Sequence, residues 1–154
     1  MLGYLCFSCG NIIDRPLLEK DSEWKRCPEC SAVLTEKTWK DFTIYENPRR
    51  LTRIIERTIL HFPEINHIDF YYAPNCVGGF IHKKSKNAIF IGDINFLNDE
   101  EVEWLVAHEI AYALEVKTKD LDDFIRSRGF HEGKSAHSKI TQEAYKRGFI
   151  FPAP

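Results

Sequence analysis

Four cysteines carry the strongest chemical signal in this chain of 154 residues. Cys6-Phe7-Ser8-Cys9 and Cys27-Pro28-Glu29-Cys30 are two Cys-x2-Cys pairs with 17 residues between them. A pair at this spacing forms a tight knuckle that aims two sulfurs at one ion, and a separation of roughly 15 to 20 residues is the spacing of a four-thiolate zinc site. Gly10, directly after the first knuckle, can take the positive φ that such a turn often needs. Four thiolates fill the zinc shell and leave no position for water, so one structural Zn2+ is expected at Cys6, Cys9, Cys27 and Cys30. The fifth cysteine, Cys76, reads as a small buried residue.

A second constellation lies in Ala107-His108-Glu109-Ile110-Ala111-Tyr112-Ala113-Leu114-Glu115. In a His-Glu-x-x-His helix the two histidines share one face and hold zinc, while the glutamate acts as general base on metal-bound water. Here Tyr112 stands where the second histidine would be. His108, Tyr112 and Glu115 still share a face with Trp104. A tyrosinate can ligate zinc, but its ordinary pKa near 10 means that deprotonation at pH 7 costs about 4 kcal/mol unless the metal supplies it. Replacement ligands are available in His131, His137 and Glu115, none at a diagnostic spacing. Three readings stay open: a site that has lost its zinc, a site with a replacement ligand, and a chance His-Glu pair.

The cysteine segment, residues 4 to about 36, resembles a zinc ribbon. From about residue 48 to 152 the chain resembles the ImmA/IrrE type of metallopeptidase domain. The resemblance rests on the helical pattern of Arg49 to Phe62, on Gly78-Gly79-Phe80-Ile81, on the strand Ala88-Ile89-Phe90-Ile91, on the His108 helix, and on Glu143-Ala144 leading to Phe149-Ile150-Phe151-Pro152. It implies a zincin-like fold with His108 as the first ligand of a second, catalytic Zn2+, Glu109 as general base, Glu143 as third ligand and Tyr112 at the altered position. It also implies a regulatory protein as substrate or partner, such as a helix-turn-helix repressor. Whether the chain is an enzyme is left open by Tyr112. The rival reading is a zinc-ribbon adaptor in transcription or nucleic-acid processing, with a non-catalytic protein-binding domain behind it.

These residues need elements to hold them. The expected fold class is α+β: a zinc ribbon over residues 1–40, then a zincin-like domain over 41–154 with a small antiparallel sheet and three or more helices. Leu51, Ile54, Ile55, Thr58, Ile59 and Phe62 have helical spacing, with Pro48 suited to the first turn and Pro63 to the stop. Arg49, Arg50, Arg53 and Arg57, three of which repeat at i, i+4 and i+8 on the opposite face, could bind phosphate or an acidic partner, but they are expected to form a solvated helix face partly paired with Glu46 and Glu56. Ile65–Tyr72, Cys76–His82 and Ala88–Gly92 are strand-like, the last two joined by the polar Lys83-Lys84-Ser85-Lys86-Asn87 turn. Asn98 with Glu101 makes a capping box for a helix over about 99–116 whose stripe is Val102, Leu105, Val106, Ile110, Ala113 and Leu114. Residues 117–139 are expected to be partly helical and then a loop carrying His131 and His137. A last helix runs from about Ser138 to Arg147 and stops at Gly148. Trp24, Trp39 and Trp104 are expected to pack, Trp39 against the second domain.

Composition narrows the function classes. With 44% apolar and 29% charged residues the chain can build a core, which argues against disorder as its main state. Lys and Arg number 21 against 23 Asp and Glu, for a formal net charge of -2, so no global basic field drives nucleic-acid binding. The charges balance inside the cysteine segment as well, which favours a protein partner over nucleic acid. No apolar stretch approaches the roughly 18 to 20 residues that span a bilayer. The first residues lack the features of a secretory leader, so the cytoplasm is the expected location. In that reducing setting the paired cysteines are expected to hold metal rather than form disulfides.

Overall fold

A computed structural model describes residues 2–14, 25–34, 42–82, 87–130 and 133–148. Among these it is α+β, with four helices, two three-stranded sheets and a two-stranded ribbon. Trp24, Trp39, His131, the Lys83–Lys86 turn and the tail Phe149–Pro152 lie outside the described residues.

Five short strands build the first part: β1 (Gly3–Leu5), β2 (Ile12–Asp14), β3 (Lys25–Arg26), β4 (Val33–Leu34) and β5 (Thr43–Ile44). β1 is central in the order β2-β1-β5, antiparallel to both neighbours, and β3 pairs with β4. Each cysteine knuckle closes one hairpin. The strands β1 and β2 are joined through Cys6–Cys9, and β3 and β4 through Cys27–Cys30. β5 belongs to the same sheet as β1, and the next residue, Tyr45, bridges to Tyr72.

Helix α1 (Arg49–Ile59) follows Pro48, whose fixed φ and missing N–H suit a helix start. It buries Leu51, Ile54, Ile55 and Thr58, the expected stripe. Three strands come next: β6 (Asp69–Tyr72), β7 (Gly79–Ile81) and β8 (Ala88–Ile91). The all-antiparallel expectation is corrected here. The order is β6-β8-β7, with β6 parallel to β8 and only β7 antiparallel. Burial explains the order. Ala88-Ile89-Phe90-Ile91 is apolar at every position and takes the centre, where both faces are covered, with Ile89, Phe90 and Ile91 fully buried. The half-buried Gly79-Phe80-Ile81 is left at the edge.

Helix α2 (Asp99–Ala113) is opened by the expected capping box: Glu101 N–H donates to Asn98 Oδ1, and Asn98 N–H donates to Glu101 Oε1. A 3-10 turn (Thr118–Asp120) leads into helix α3 (Leu121–Ser127), and helix α4 (Lys134–Arg147) ends on Gly148 in the left-handed conformation. α4 starts four residues earlier than its sequence pattern indicates. Its N-cap, Gly133, makes no side-chain capping bond and therefore leaves no local signature. Glu101 ties α4 to α2, accepting from Ser135 Oγ at 2.7 Å and Lys139 Nζ at 2.7 Å.

The main core lies between the helices and one face of the β6-β8-β7 sheet. A second cluster covers the other face: Leu5 and Ile44 pack with Ala73, Cys76 and Phe90, joined by Phe42 and Phe80. Cys76 is buried there, as its apolar reading implies. Arg50 departs from expectation. It turns inward to Asp99 at 2.7 Å and to the carbonyls of Ile94 and Leu97, pinning the approach to α2, while Arg57 pairs with Glu103.

Candidate metal centre and the His108 helix

The two knuckles have matching backbones. Gly10 N–H donates to Cys6 O and Ser31 N–H to Cys27 O, while Cys6 N–H reaches Asn11 O and Cys27 N–H reaches Ala32 O. The residue after each second cysteine has positive φ, 79° at Gly10 and 62° at Ser31. Glycine takes this conformation freely, whereas Ser31 holds it at a modest steric cost.

The four sulfurs converge. Cys6 Sγ lies 3.7 Å from Cys30 Sγ and Cys9 Sγ lies 3.6 Å from Cys27 Sγ, and all four donor atoms fall within 4.8 Å of one another. Tetrahedral zinc with Zn–S bonds of about 2.3 Å needs sulfurs about 3.8 Å apart. The donor set, its spacing and its number therefore fit one zinc ion. None of the five cysteines forms a disulfide. Burial pushes the Cys27 thiol up to about 12 and raises Cys6 as well, while the exposed Cys30, facing the Ala32 N–H, is lowered to about 7. A cation at the centre would reverse the penalty on the buried thiolates. Asn11 adds a side-chain donor to Cys9 Sγ at 3.4 Å, a second layer of support for a ligand sulfur.

Helix α2 places His108, Tyr112 and Trp104 together as the spacing requires. The His108 ring lies 4.8 Å from that of Trp104 and 4.9 Å from that of Tyr112. Its Nδ1 is buried without a hydrogen-bond partner. Burial holds its pKa below the ordinary imidazole range, helped by His137 and opposed by Asp122. Tyr112 is 38% exposed, so its hydroxyl-bearing ring lies at the surface end of this stack.

Glu109 points the other way, into the contact between α2 and β7. It is 6% exposed, and burial alone pushes its carboxyl up to about 8. Gly79 makes room for it: a Cβ there would lie 2.6 Å from Glu109 Cγ and 2.9 Å from Cδ. Glu143 sits elsewhere in the network, accepting from Arg147 Nε at 2.9 Å, with Arg147 also bound to Asp93 at 2.6 Å. Among the described residues the four cysteines are the one group of three or more Cys, His, Asp or Glu whose donor atoms converge.

The sequence singles out the cysteines, His108 and Glu109 but gives His82 no role. His82 is buried at the end of β7, and its Nε2 meets the backbone carbonyl of Phe7 inside the first knuckle. A carbonyl only accepts, so Nε2 carries the proton in this bond. The partners are 75 positions apart, and no local pattern could have joined them. Compared with family models, curated proteins and solved structures, the chain shows no match. No helix among the described residues is long and apolar enough to cross a membrane.

Proposed function

We propose that the chain is a zinc-ribbon protein whose second part is a degenerate metallopeptidase-like domain that binds a regulatory protein without cutting it. The observation that carries the reading is the contrast in donor geometry: four sulfurs within 4.8 Å of one another, against His108 with Tyr112 at its fourth neighbour and Glu143 engaged by Arg147. The cysteines would hold a structural Zn2+. Glu109 lies buried against Gly79 of β7, where burial raises its carboxyl to about 8. The edge strand β7 offers an unpaired main-chain side among the described residues, a surface suited to an extended segment of a protein partner. A helix-turn-helix repressor, the partner class implied by the ImmA/IrrE resemblance, and a cytoplasmic setting belong to this proposal.

The active-peptidase alternative has a specific observation in its favour: the buried, unpartnered Nδ1 of His108. A zinc count on purified protein, repeated on His108→Ala, separates the two. The pseudo-peptidase reading expects one zinc per chain in both. Two zinc ions, falling to one in the variant, would establish a second metal site and replace it with the peptidase reading.

A further inference from the structure

We infer that metal in the cysteine unit governs the edge strand β7, with His82 as the joint. The inference rests on zinc occupying the cysteines, and it goes beyond that reading by giving the metal a second effect across the fold.

Apart from Leu5 and Ile44, which pack on the sheet, the two-knuckle unit has little core besides its cysteines. Its buried cluster consists of Tyr4, Cys6, Ile13 and Cys27, so two of the four members are metal-type cysteines. Without a central cation those sulfurs have no reason to converge, and the knuckles lose what holds them closed. The first knuckle is also the part that reaches the sheet. Phe7, between Cys6 and Cys9, stacks on Phe42 at 4.9 Å, and Phe42 meets the edge of Phe80 on β7 at 5.5 Å. Its carbonyl accepts from His82, directly after β7, and the His82 ring meets the Phe7 ring edge-on at 5.7 Å.

As an edge strand β7 pairs with β8 on one side, with Phe80 stacked on Phe90 at 4.9 Å, Ile81 packed on the main core and Gly79 resting against Glu109 of α2. The metal unit therefore supplies the cover on its opposite face and the anchor at its end. Releasing the knuckle frees both, and the strand that seats Glu109 loosens while the helical core stays intact. His82 acts here as a positioning residue: it transmits the state of the knuckle and touches no reacting group.

Amide hydrogen exchange on the full chain tests this, with zinc counted in every sample. Removing zinc with a chelator is expected to speed exchange in residues 2–14 and, by about tenfold or more, in 76–82, while α1 and α4 stay protected. Adding zinc alone should reverse it. In His82→Phe with zinc bound, 76–82 should exchange fast already and respond no further to zinc removal. His82→Gln, which keeps an N–H at the end of the side chain, should restore the response. Unchanged exchange in 76–82 when the zinc-loaded wild type is stripped would overturn the inference. So would equal loosening of α1 and α4, which would make the metal a general requirement for folding. If purified protein carries no zinc at the cysteines, the site reading itself fails, and the count identifies that failure separately.

Discussion

The two-knuckle unit and helix α2 both begin from short sequence motifs, but they complete their geometry in different ways. A Cys-x2-Cys knuckle is nearly self-contained: two backbone hydrogen bonds and one positive-φ residue orient both sulfurs, and only the meeting of two knuckles is long-range. A helical His-Glu pair fixes just the direction of its own side chains. Whatever else the site needs must arrive from other elements, and here α2 meets an edge strand through Glu109 and an aromatic stack through His108. Metal-type residues thus lead to a converged donor set in one place and to a buried carboxyl with a raised pKa in the other. The lesson is that local motif strength reports how much of a site is local.

The largest expected effect comes from breaking the converged set. Cys27→Ser removes a fully buried ligand, and structural zinc in small units contributes on the order of 10 kcal/mol of folding free energy. The zinc count should fall from one per chain to none, and the Gly10 and Ser31 amides should lose their exchange protection. Retention of a full equivalent would remove Cys27 from the ligand set.

Glu109→Gln probes the other region through pH. The folded pKa, about 8, lies above the ordinary 4.5, so the folded state holds the proton more tightly than the unfolded chain. That stabilisation is fully present below about pH 4.5 and is lost as pH rises through about 8, for at most about 5 kcal/mol. Gln keeps the shape and cannot ionise. The variant should match the wild type in urea unfolding near pH 5 and exceed it near pH 9. A wild type whose stability is flat across that range would mean that a nearby cation, such as a metal at His108, keeps the carboxylate charged.

The smallest effect sharpens the packing argument. Gly79→Ala places a methyl against Glu109 Cγ at 2.6 Å and should cost about 1–3 kcal/mol by overpacking, read as a lower urea midpoint. Zinc content should be unchanged. In the Glu109→Ala background, where the obstructing side chain is shortened, the same substitution should cost much less. An equal cost in both backgrounds would place the obstruction elsewhere.

Much of this was legible in the sequence where the determinants are local. Asn98 and Glu101 announced α2, Gly148 marked the end of α4, and the α1 stripe was read correctly. Strand order was not legible, because β8 enters between β6 and β7 on the strength of its two-sided burial rather than any turn signal. Arg50 looked like one more surface cation until its contacts with Asp99 and two carbonyls of the segment before α2 were seen. His82 and Phe7 meet only because the two-knuckle unit lies over the outer face of the sheet.

X-ray absorption at the zinc edge on the full-length, zinc-loaded protein tests the central contrast most directly. The account predicts one zinc per chain with a shell of four sulfurs at about 2.3 Å and no lighter first-shell atoms. A second zinc equivalent, with nitrogen or oxygen neighbours at about 2.0–2.2 Å that disappear in His108→Ala, would contradict it.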